Sequence, residues 1–141
     1  MTIRIVLLPL FVEVALTFVL IFWTARARIA AIRSGVAKMR DTALGQPNWP
    51  TQATQIANSY NSQFQIPVLF YLLTVLAIIT RHADVVFVVM AWLFVVTRLV
   101  HAYIHTSTNY VPHRFNAFAA GVVVLLVMWI VFAVRIIAGL P

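Results

Sequence analysis

Long apolar stretches separated by short polar ones dominate the chain. Four of them, at about residues 5–30, 56–80, 85–106 and 115–138, can each form a helix that crosses a membrane. A hydrocarbon core of about 30 Å takes roughly 20 residues at a rise of about 1.5 Å each. The first stretch exceeds the apolar core of a secretory signal peptide, so we expect it to remain as a helix. The pattern predicts four transmembrane helices.

The second stretch is long enough only if it includes polar residues. Its apolar part, residues 66–80, reaches about 22 Å as a helix, which is less than the thickness of the hydrocarbon core. Extending the helix back to residue 56 supplies the missing length and brings amide side chains into or near the membrane. Pro67 lies within this helix, where we expect a kink that also frees a backbone carbonyl.

The connections between the predicted helices set the topology. Residues 34–55 are too polar to span and contain several glycines and prolines, so we expect a surface loop there. Residues 81–84 and 107–114 form short connections, which make the helices they join antiparallel neighbours. The sequence therefore predicts one all-α domain over residues 1–141, an up-and-down bundle of four transmembrane helices.

Composition agrees with an integral membrane protein. Of the 141 residues, 63% are hydrophobic and 9% are charged, which excludes a soluble fold. The formal net charge is +7. In a membrane protein, lysine and arginine at helix ends face anionic lipid headgroups, so we expect membrane lipids and not nucleic acid as partners. Cysteine is absent, which excludes disulfides, thiolate metal sites and a cysteine nucleophile.

The distribution of lysine and arginine predicts the orientation in the membrane. The side that holds the first and third connections carries six of these residues, against three on the opposite side. They are Arg26, Arg28, Arg33, Lys38, Arg40 and Arg114 against Arg4, Arg81 and Arg135. By the positive-inside rule, we expect the first and third connections in the cytoplasm and both termini outside.

Polar side chains inside the predicted helices are candidates for function, because ionisable groups are costly in a membrane. One polar stripe follows the third helix at spacings of three and four residues: Arg98, His101, His105 and Asn109. Such spacings place side chains on one face of a helix. Arg114 follows on the connection or the first turn of the fourth helix. This set predicts a cationic pocket suited to a carboxylate or a thiolate.

A second polar stripe lies on the second helix, toward the same membrane face as the first. Its members are Gln55, Asn58, Asn61, Ser62 and Gln65. Amides at such positions act either as hydrogen-bonding contacts between helices or as contacts to a ligand. The sequence leaves both interpretations open.

Some of the ionisable groups have structural interpretations. Glu13 on the first helix and Arg98 on the third differ in predicted depth by about 6 Å, so we expect a buried ion pair between them. His101 and His105 have the spacing of two metal ligands. No carboxylate, cysteine or third histidine lies on the same stretch, so we predict no metal site.

These residues resemble the MAPEG family, the membrane-associated proteins in eicosanoid and glutathione metabolism. Arg-Leu-Val-His at residues 98–101, followed by His105, Pro112 and Arg114, looks like the third-helix and loop motif of the microsomal prostaglandin E synthase branch. The stretch at residues 61–70 is similar to the family's Asn, Glu, Pro-hydrophobic-Leu-Phe signature. The two motifs lie on separate helices.

The resemblance implies a homotrimer of four-helix subunits in a bacterial inner membrane, with glutathione in clefts between subunits on the cytoplasmic side. It implies cofactor-binding residues from both stripes: Asn61, Gln65, Arg98, His101 and His105. Arg114 would be the catalytic residue, because it stabilises the glutathione thiolate. The implied activities are conjugation of glutathione to lipophilic electrophiles, reduction of lipid hydroperoxides and isomerisation of lipid endoperoxides.

The chain departs from the family pattern. The acidic residue of the second helix, which receives the glutathione amino group in the enzymes, is absent, and Gln63 and Gln65 flank its place. The basic residue before the asparagine is also missing, and His105 stands where eukaryotic members usually have a tyrosine. Losing a charge-assisted hydrogen bond of about 1.5 to 3 kcal/mol predicts glutathione binding that is weaker by roughly tenfold to a hundredfold.

Two alternatives stay open at this point. One is a non-catalytic protein of the same fold that binds lipid or serves as an accessory subunit of a larger membrane complex, which the missing acid favours. The other is a channel or transporter. It is disfavoured because the polar stripes lie near one membrane face and do not continue across the membrane.

Overall fold

The structure is a computed structural model that describes residues 2–45 and 48–141. In this part of the chain the helices are α1 (Ile3–Arg33), α2 (Met39–Thr42), α3 (Thr51–Ser62), α4 (Ile66–Ile79), α5 (Val85–Thr106) and α6 (Val111–Ile137). Four spans have the length and apolar content to cross a membrane, namely α1, α3 with α4, α5 and α6. The predicted all-α fold with four transmembrane helices is confirmed.

Some element boundaries differ from the predicted ones. The second span begins at Thr51, so residues 51–55 are helical where a surface loop was expected. The fourth span begins at Val111, and Pro112 occupies its first turn. Proline is well tolerated there, because the N–H groups of a first turn have no partner within the helix. The predicted loop also contains the short helix α2. Residues 46 and 47 of that loop lie outside the described residues.

α1 ends at the change from apolar to basic sequence. Gly35 adopts a left-handed conformation with φ of 78°, which glycine reaches without steric cost. The chain reverses there, and the Ala37 N–H donates to the Ala31 carbonyl over 3.2 Å. The chain then forms α2 and returns as α3, which packs along α1.

The turn between α4 and α5 is short and well bonded. The His82 N–H donates to the Ala77 carbonyl over 2.8 Å. Asp84 caps α5, because its Oδ1 accepts a hydrogen bond from the Phe87 N–H over 3.0 Å. Its Oδ2 lies 2.8 Å from Nη1 of Arg135, which ties the end of α6 to this turn. The short turn therefore makes α4 and α5 antiparallel, as predicted.

The interior of the bundle divides into two parts. α5 is central and packs against α1, α3 and α6. Around its first half lies an apolar core, here called the apolar half: Val6, Phe70, Leu73, Ala77, Phe87, Val88, Ala91, Phe94, Val95, Leu125 and Met128. Around its second half the buried side chains include many polar ones, and this end is called the polar half: Ser59, Ser62, Gln63, Arg98, His101 and His105.

Candidate functional site

A cavity of about 550 Å³ opens in the polar half, where the end of α3, the end of α5 and the start of α6 meet. It is lined by Asn58, Asn61, Ser62, Gln65, His101, His105, Val111, Arg114, Phe115 and Phe118. Its volume falls within the range of small-molecule sites, about 300 to 1,000 Å³. The lining includes all of the predicted site residues except Arg98. Members of both polar stripes predicted from the sequence therefore face one space.

The break between α3 and α4 shapes one wall of the cavity. Pro67 has no N–H for the carbonyl of Gln63, and its ring would clash with that carbonyl in a continuous helix. The chain instead tightens, and the Gln65 N–H donates to the Ser62 carbonyl over 3.3 Å. A new helix begins at Ile66. The kink expected at Pro67 is thus a complete break, which turns the side chain of Gln65 into the cavity wall.

Arg98 and Glu13 lie behind this wall. Nη2 of Arg98 donates to the carbonyl and to Oγ of Ser62, over 3.2 and 2.7 Å. Its Nε lies 4.0 Å from Oε1 of Glu13, and both side chains are completely buried. The predicted ion pair is confirmed. Arg98 was predicted among the residues of the glutathione site; it does not line the cavity, and it holds the end of α3 through its bonds to Ser62.

His101 and His105 occupy the next two turns of α5. Their ring centroids lie 5.4 Å apart in an edge-to-face arrangement, and the ring of Phe118 lies 6.0 Å from that of His101. Nδ1 of each imidazole is buried without a hydrogen-bond partner in the described chain. Buried polar atoms normally have partners, so these two are candidates for contact with a ligand or a bound water. No three histidine, aspartate or glutamate residues among those described gather as a metal site.

Arg114 reaches the cavity from the first turn of α6. Its Nη1 donates to Oδ1 of Asn109 over 2.7 Å. Asn109 has a φ of 50°, a left-handed conformation that asparagine tolerates better than most residues, and its N–H donates to the Ile104 carbonyl over 2.7 Å. Asn109 belongs to the predicted stripe but does not line the cavity. It holds the guanidinium of Arg114 in place.

The cavity surface favours anions. Arg114 contributes a permanent positive charge, and the side-chain amides contribute N–H donors and carbonyl acceptors: Asn58, Asn61 and Gln65. None of the described residues that line the cavity is acidic. Such a surface can bind carboxylates or a thiolate through charge-assisted hydrogen bonds, whereas it offers an ammonium group only neutral acceptors.

Several residues of the site were not identified from the sequence. Phe115 and Phe118 form an apolar wall of the cavity. Gln63 was considered only as a flank of the missing acid, yet it is buried, and its Nε2 donates to the carbonyl of Ser59 over 3.1 Å. The spacing of four residues between Ser59 and Gln63 was an available signal. Gln55 belongs to the predicted second stripe but does not line the cavity.

An apolar groove of about 410 Å³ begins beside the cavity and runs between α4 and α6. It is lined by Ile66, Leu69, Val122, Leu125, Leu126 and Trp129. Ile66 directly follows Gln65 of the cavity wall, so the groove and the cavity adjoin.

Comparison with known proteins places this architecture in a family. The MAPEG family matches residues 6–134, which include most of α1 and α6 and all of the helices between them. No curated protein and no solved structure matches the chain. The family is one of integral membrane proteins, in agreement with the four apolar spans. The chain belongs to the MAPEG family.

Proposed function

We propose that this protein is a glutathione-dependent transferase or peroxidase that acts on lipophilic electrophiles or lipid hydroperoxides. The observation that carries the proposal is the cavity in which Arg114, two imidazoles and several amides meet beside an apolar groove. Membership of the MAPEG family, which includes glutathione transferases and peroxidases, supports it. No side chain of the protein needs to act as a nucleophile.

The residues of the cavity fit the anionic groups of glutathione. The tripeptide carries two carboxylates and a thiol, for which Arg114, the imidazoles and the amide N–H groups are suitable partners. Its ammonium group meets only the neutral oxygens of amides such as Asn61 and Gln65. We therefore expect binding that is roughly tenfold to a hundredfold weaker than with a carboxylate at this place.

Each residue of the site has a defined part in this proposal. Glutathione, when bound, supplies the sulfur nucleophile. Arg114 provides a positive charge that favours the thiolate over the thiol, and Asn109 orients its guanidinium. Arg98 keeps Ser62 and the end of α3 in the cavity wall. The apolar groove gives a lipophilic substrate a path to the cavity from the membrane.

We also propose a homotrimer in a bacterial inner membrane, with the first and third connections in the cytoplasm. Many large apolar side chains of α1 and α6 are exposed, and such faces contact either lipid or another copy of the chain. The excess of lysine and arginine on one side supports the orientation. Native mass spectrometry from lipid nanodiscs tests the assembly, and a single-chain mass would contradict it.

The direct test of the enzyme proposal is the conjugation of glutathione to an aromatic electrophile by the purified protein. We expect Arg114→Ala to lower kcat/KM at least about tenfold, because a charge-assisted contact to the sulfur is lost. Arg4→Ala is the matched control, since Arg4 is exposed at the opposite end of α1, and its rate should equal that of the wild type. Absence of wild-type turnover above the uncatalysed rate contradicts the proposal.

One observation favours a second candidate function. Because the described lining residues include no acid, the cavity lacks a charged partner for the ammonium of glutathione. A non-catalytic MAPEG protein, which binds lipid or serves as an accessory subunit of a larger membrane complex, is consistent with this lining. Purification in a mild detergent discriminates between the two. A stoichiometric second protein supports the accessory function, and assemblies of this chain alone argue against it.

A further inference from the structure

A second basic site lies at the end of α1, in residues that the proposed function does not use. The apolar run of α1 ends at Ala25, and Arg28 and Arg33 lie about 4.5 and about 12 Å farther along the helix axis. Side chains on a helix tilt toward its N-terminus, which for α1 is the direction of the hydrocarbon core. Both guanidinium groups therefore reach back toward the boundary between acyl chains and headgroups.

These arginines border a pocket that three segments of the chain form together. Its volume is about 540 Å³, and it lies between the end of α1, the short helix α2 and the loop before α3. The lining residues are Arg28, Ile29, Ile32, Arg33, Met39, Thr42, Ala43 and Trp49. The pocket thus combines two cations with an apolar surface, on which Met39 is 74% exposed.

Trp49 holds one of the two cations in position. The guanidinium carbon of Arg28 lies 5.0 Å from the centroid of the Trp49 ring, which is within the range of a cation–π interaction. Because the guanidinium lies over the ring face, its N–H groups remain available to an anion. Tryptophan is also typical of the membrane interface, which agrees with the depth assigned to this site.

The charges around the pocket are not balanced by the protein. Five cations cluster between the end of α1 and α2: Arg26, Arg28, Arg33, Lys38 and Arg40. Asp41 is the acid in this segment, and it lies 4.0 Å from Arg40. The salt bridges of the described chain involve Arg40, Arg98 and Arg135 but neither cation of the pocket. The missing counter-charge has to come from outside the protein.

We propose that this pocket binds an anionic phospholipid. Arg28 and Arg33 contact the headgroup phosphate, and the acyl chains lie on Ile29, Ile32 and Met39. A phosphate accepts hydrogen bonds from two guanidinium groups, whereas an uncharged solute would leave them unpaired. The amphiphilic lining matches the basic lipid sites that occur between membrane helices near the headgroups. This site is separate from the glutathione cavity and does not depend on the proposed function.

The test is lipid binding to the full-length protein in detergent, measured by native mass spectrometry. Phosphatidylglycerol and phosphatidylcholine with the same acyl chains are titrated, so that the two lipids differ in net headgroup charge. We expect the wild type to prefer phosphatidylglycerol. Each arginine near the headgroups contributes about fivefold, so Arg28→Gln with Arg33→Gln should weaken phosphatidylglycerol binding about 25-fold. Phosphatidylcholine should lose much less affinity, because its choline cation already offsets the charge of its phosphate.

A matched control carries the same change of charge at the other end of the bundle. Arg4 and Arg81 are both exposed there, and Arg4→Gln with Arg81→Gln should alter phosphatidylglycerol binding by less than about twofold. Melting temperatures of the two double variants establish that both are folded. Equal affinity of the wild type for both lipids, or an equal loss in the control, would overturn the proposal. A change of oligomer mass with unchanged lipid binding would also overturn it, because the pocket would then be a contact between copies.

Discussion

The apolar and polar halves of the bundle are held together by different physical effects. In the apolar half, Phe70 and Phe94 are fully buried, with ring centroids 4.9 Å apart. In the polar half, buried atoms of His101 and His105 have no hydrogen-bond partner among the described residues. Because lipid is itself apolar, the first half is stabilised by close packing, whereas the second contains groups that raise the energy of the fold. Buried polar groups without a hydrogen-bond partner are therefore candidates for a functional site.

The boundary between the two halves is the ion pair of Glu13 and Arg98. The guanidinium of Arg98 bonds Ser62 on the polar side, and the turn of α5 before it carries Phe94 and Val95 of the apolar core. The pair therefore connects the packed part of the bundle to the cavity wall. Changes on either side of this boundary should have different consequences for stability and for binding.

The largest expected effect is the loss of one partner of this pair. Arg98→Met leaves the carboxylate of Glu13 buried and uncompensated, and we expect it to lower the free energy of unfolding by about 3 to 5 kcal/mol. The double variant with Glu13→Gln should lose less than half of that, because the isolated charge is gone. Thermal unfolding in one detergent compares the two variants. A double variant that is less stable than Arg98→Met would contradict the assignment of the pair.

Phe70→Ala tests the apolar half. It should lower the free energy of unfolding by about 2 kcal/mol, since the cavity left behind costs about 24 cal/mol per Å³ while little is gained or lost by transfer from lipid. Affinity for glutathione should stay unchanged. Phe115→Ala is the counterpart in the cavity wall, where Phe115 is 65% exposed, and it should change affinity but not stability. Loss of affinity in Phe70→Ala without unfolding would remove the distinction between the halves.

Gly121→Ala tests the contact between α5 and α6 beside the boundary. A methyl group at Gly121 would lie 2.8 Å from Oγ1 of Thr97, so the threonine side chain has to move and the variant should lose about 1 kcal/mol. Thr97→Ala should be nearly neutral by itself and should restore the stability of Gly121→Ala. Chemical denaturation of the three variants measures this coupling. No rescue in the double variant would mean that the two helices pack differently.

The smallest expected effect concerns Asp84 in the turn between α4 and α5. Partial burial on its own would raise its pKa, but the hydrogen bond from the Phe87 N–H and the nearby Arg135 guanidinium together lower the pKa below its ordinary value of 3.8. The stabilisation is therefore present above about pH 4 and is lost as the pH falls through the lowered pKa. Asp84→Asn retains a helix cap, so at pH 7 it should lose less than about 1 kcal/mol.

The pH dependence of the effect tests whether the charge of Asp84, which pairs with Arg135, stabilises the fold. The difference in melting temperature between Asp84→Asn and the wild type should shrink as the pH is lowered from 7 to about 3, because the wild-type carboxylate then becomes protonated. A difference that is constant over this range would show that the charge of the Asp84 carboxylate does not contribute to stability.

Much of the fold was predictable because hydropathy reports burial in lipid directly. The four spans and the pairing of Glu13 with Arg98 followed from run lengths and depths along the helices. The break before Pro67 was not predictable, since one proline can kink a helix, break it or begin a new one. In the structure the Ser62 carbonyl at the end of α3 accepts a hydrogen bond from Arg98, a contact between residues that are far apart in the sequence.

The site was predictable in its members more than in its geometry. Helical spacing correctly placed His101 and His105 on one face, and both line the cavity. The same spacing placed Arg98 and Asn109 in the stripe of the predicted pocket; neither lines the cavity, since Arg98 lies behind the wall and Asn109 holds Arg114. Periodicity gives the direction in which a side chain leaves its helix, but it does not tell which residue of a neighbouring helix that side chain contacts.

Glutathione binding to the purified wild-type protein tests whether the cavity is a glutathione site. Calorimetry is combined with the ultraviolet absorbance of the thiolate, over micromolar to millimolar ligand. We expect saturable binding with a thiolate signal, and Arg114→Ala should lose the signal. Absence of binding at about 10 mM, where even a dissociation constant of about 1 mM gives near saturation, would contradict the assignment of the cavity to glutathione.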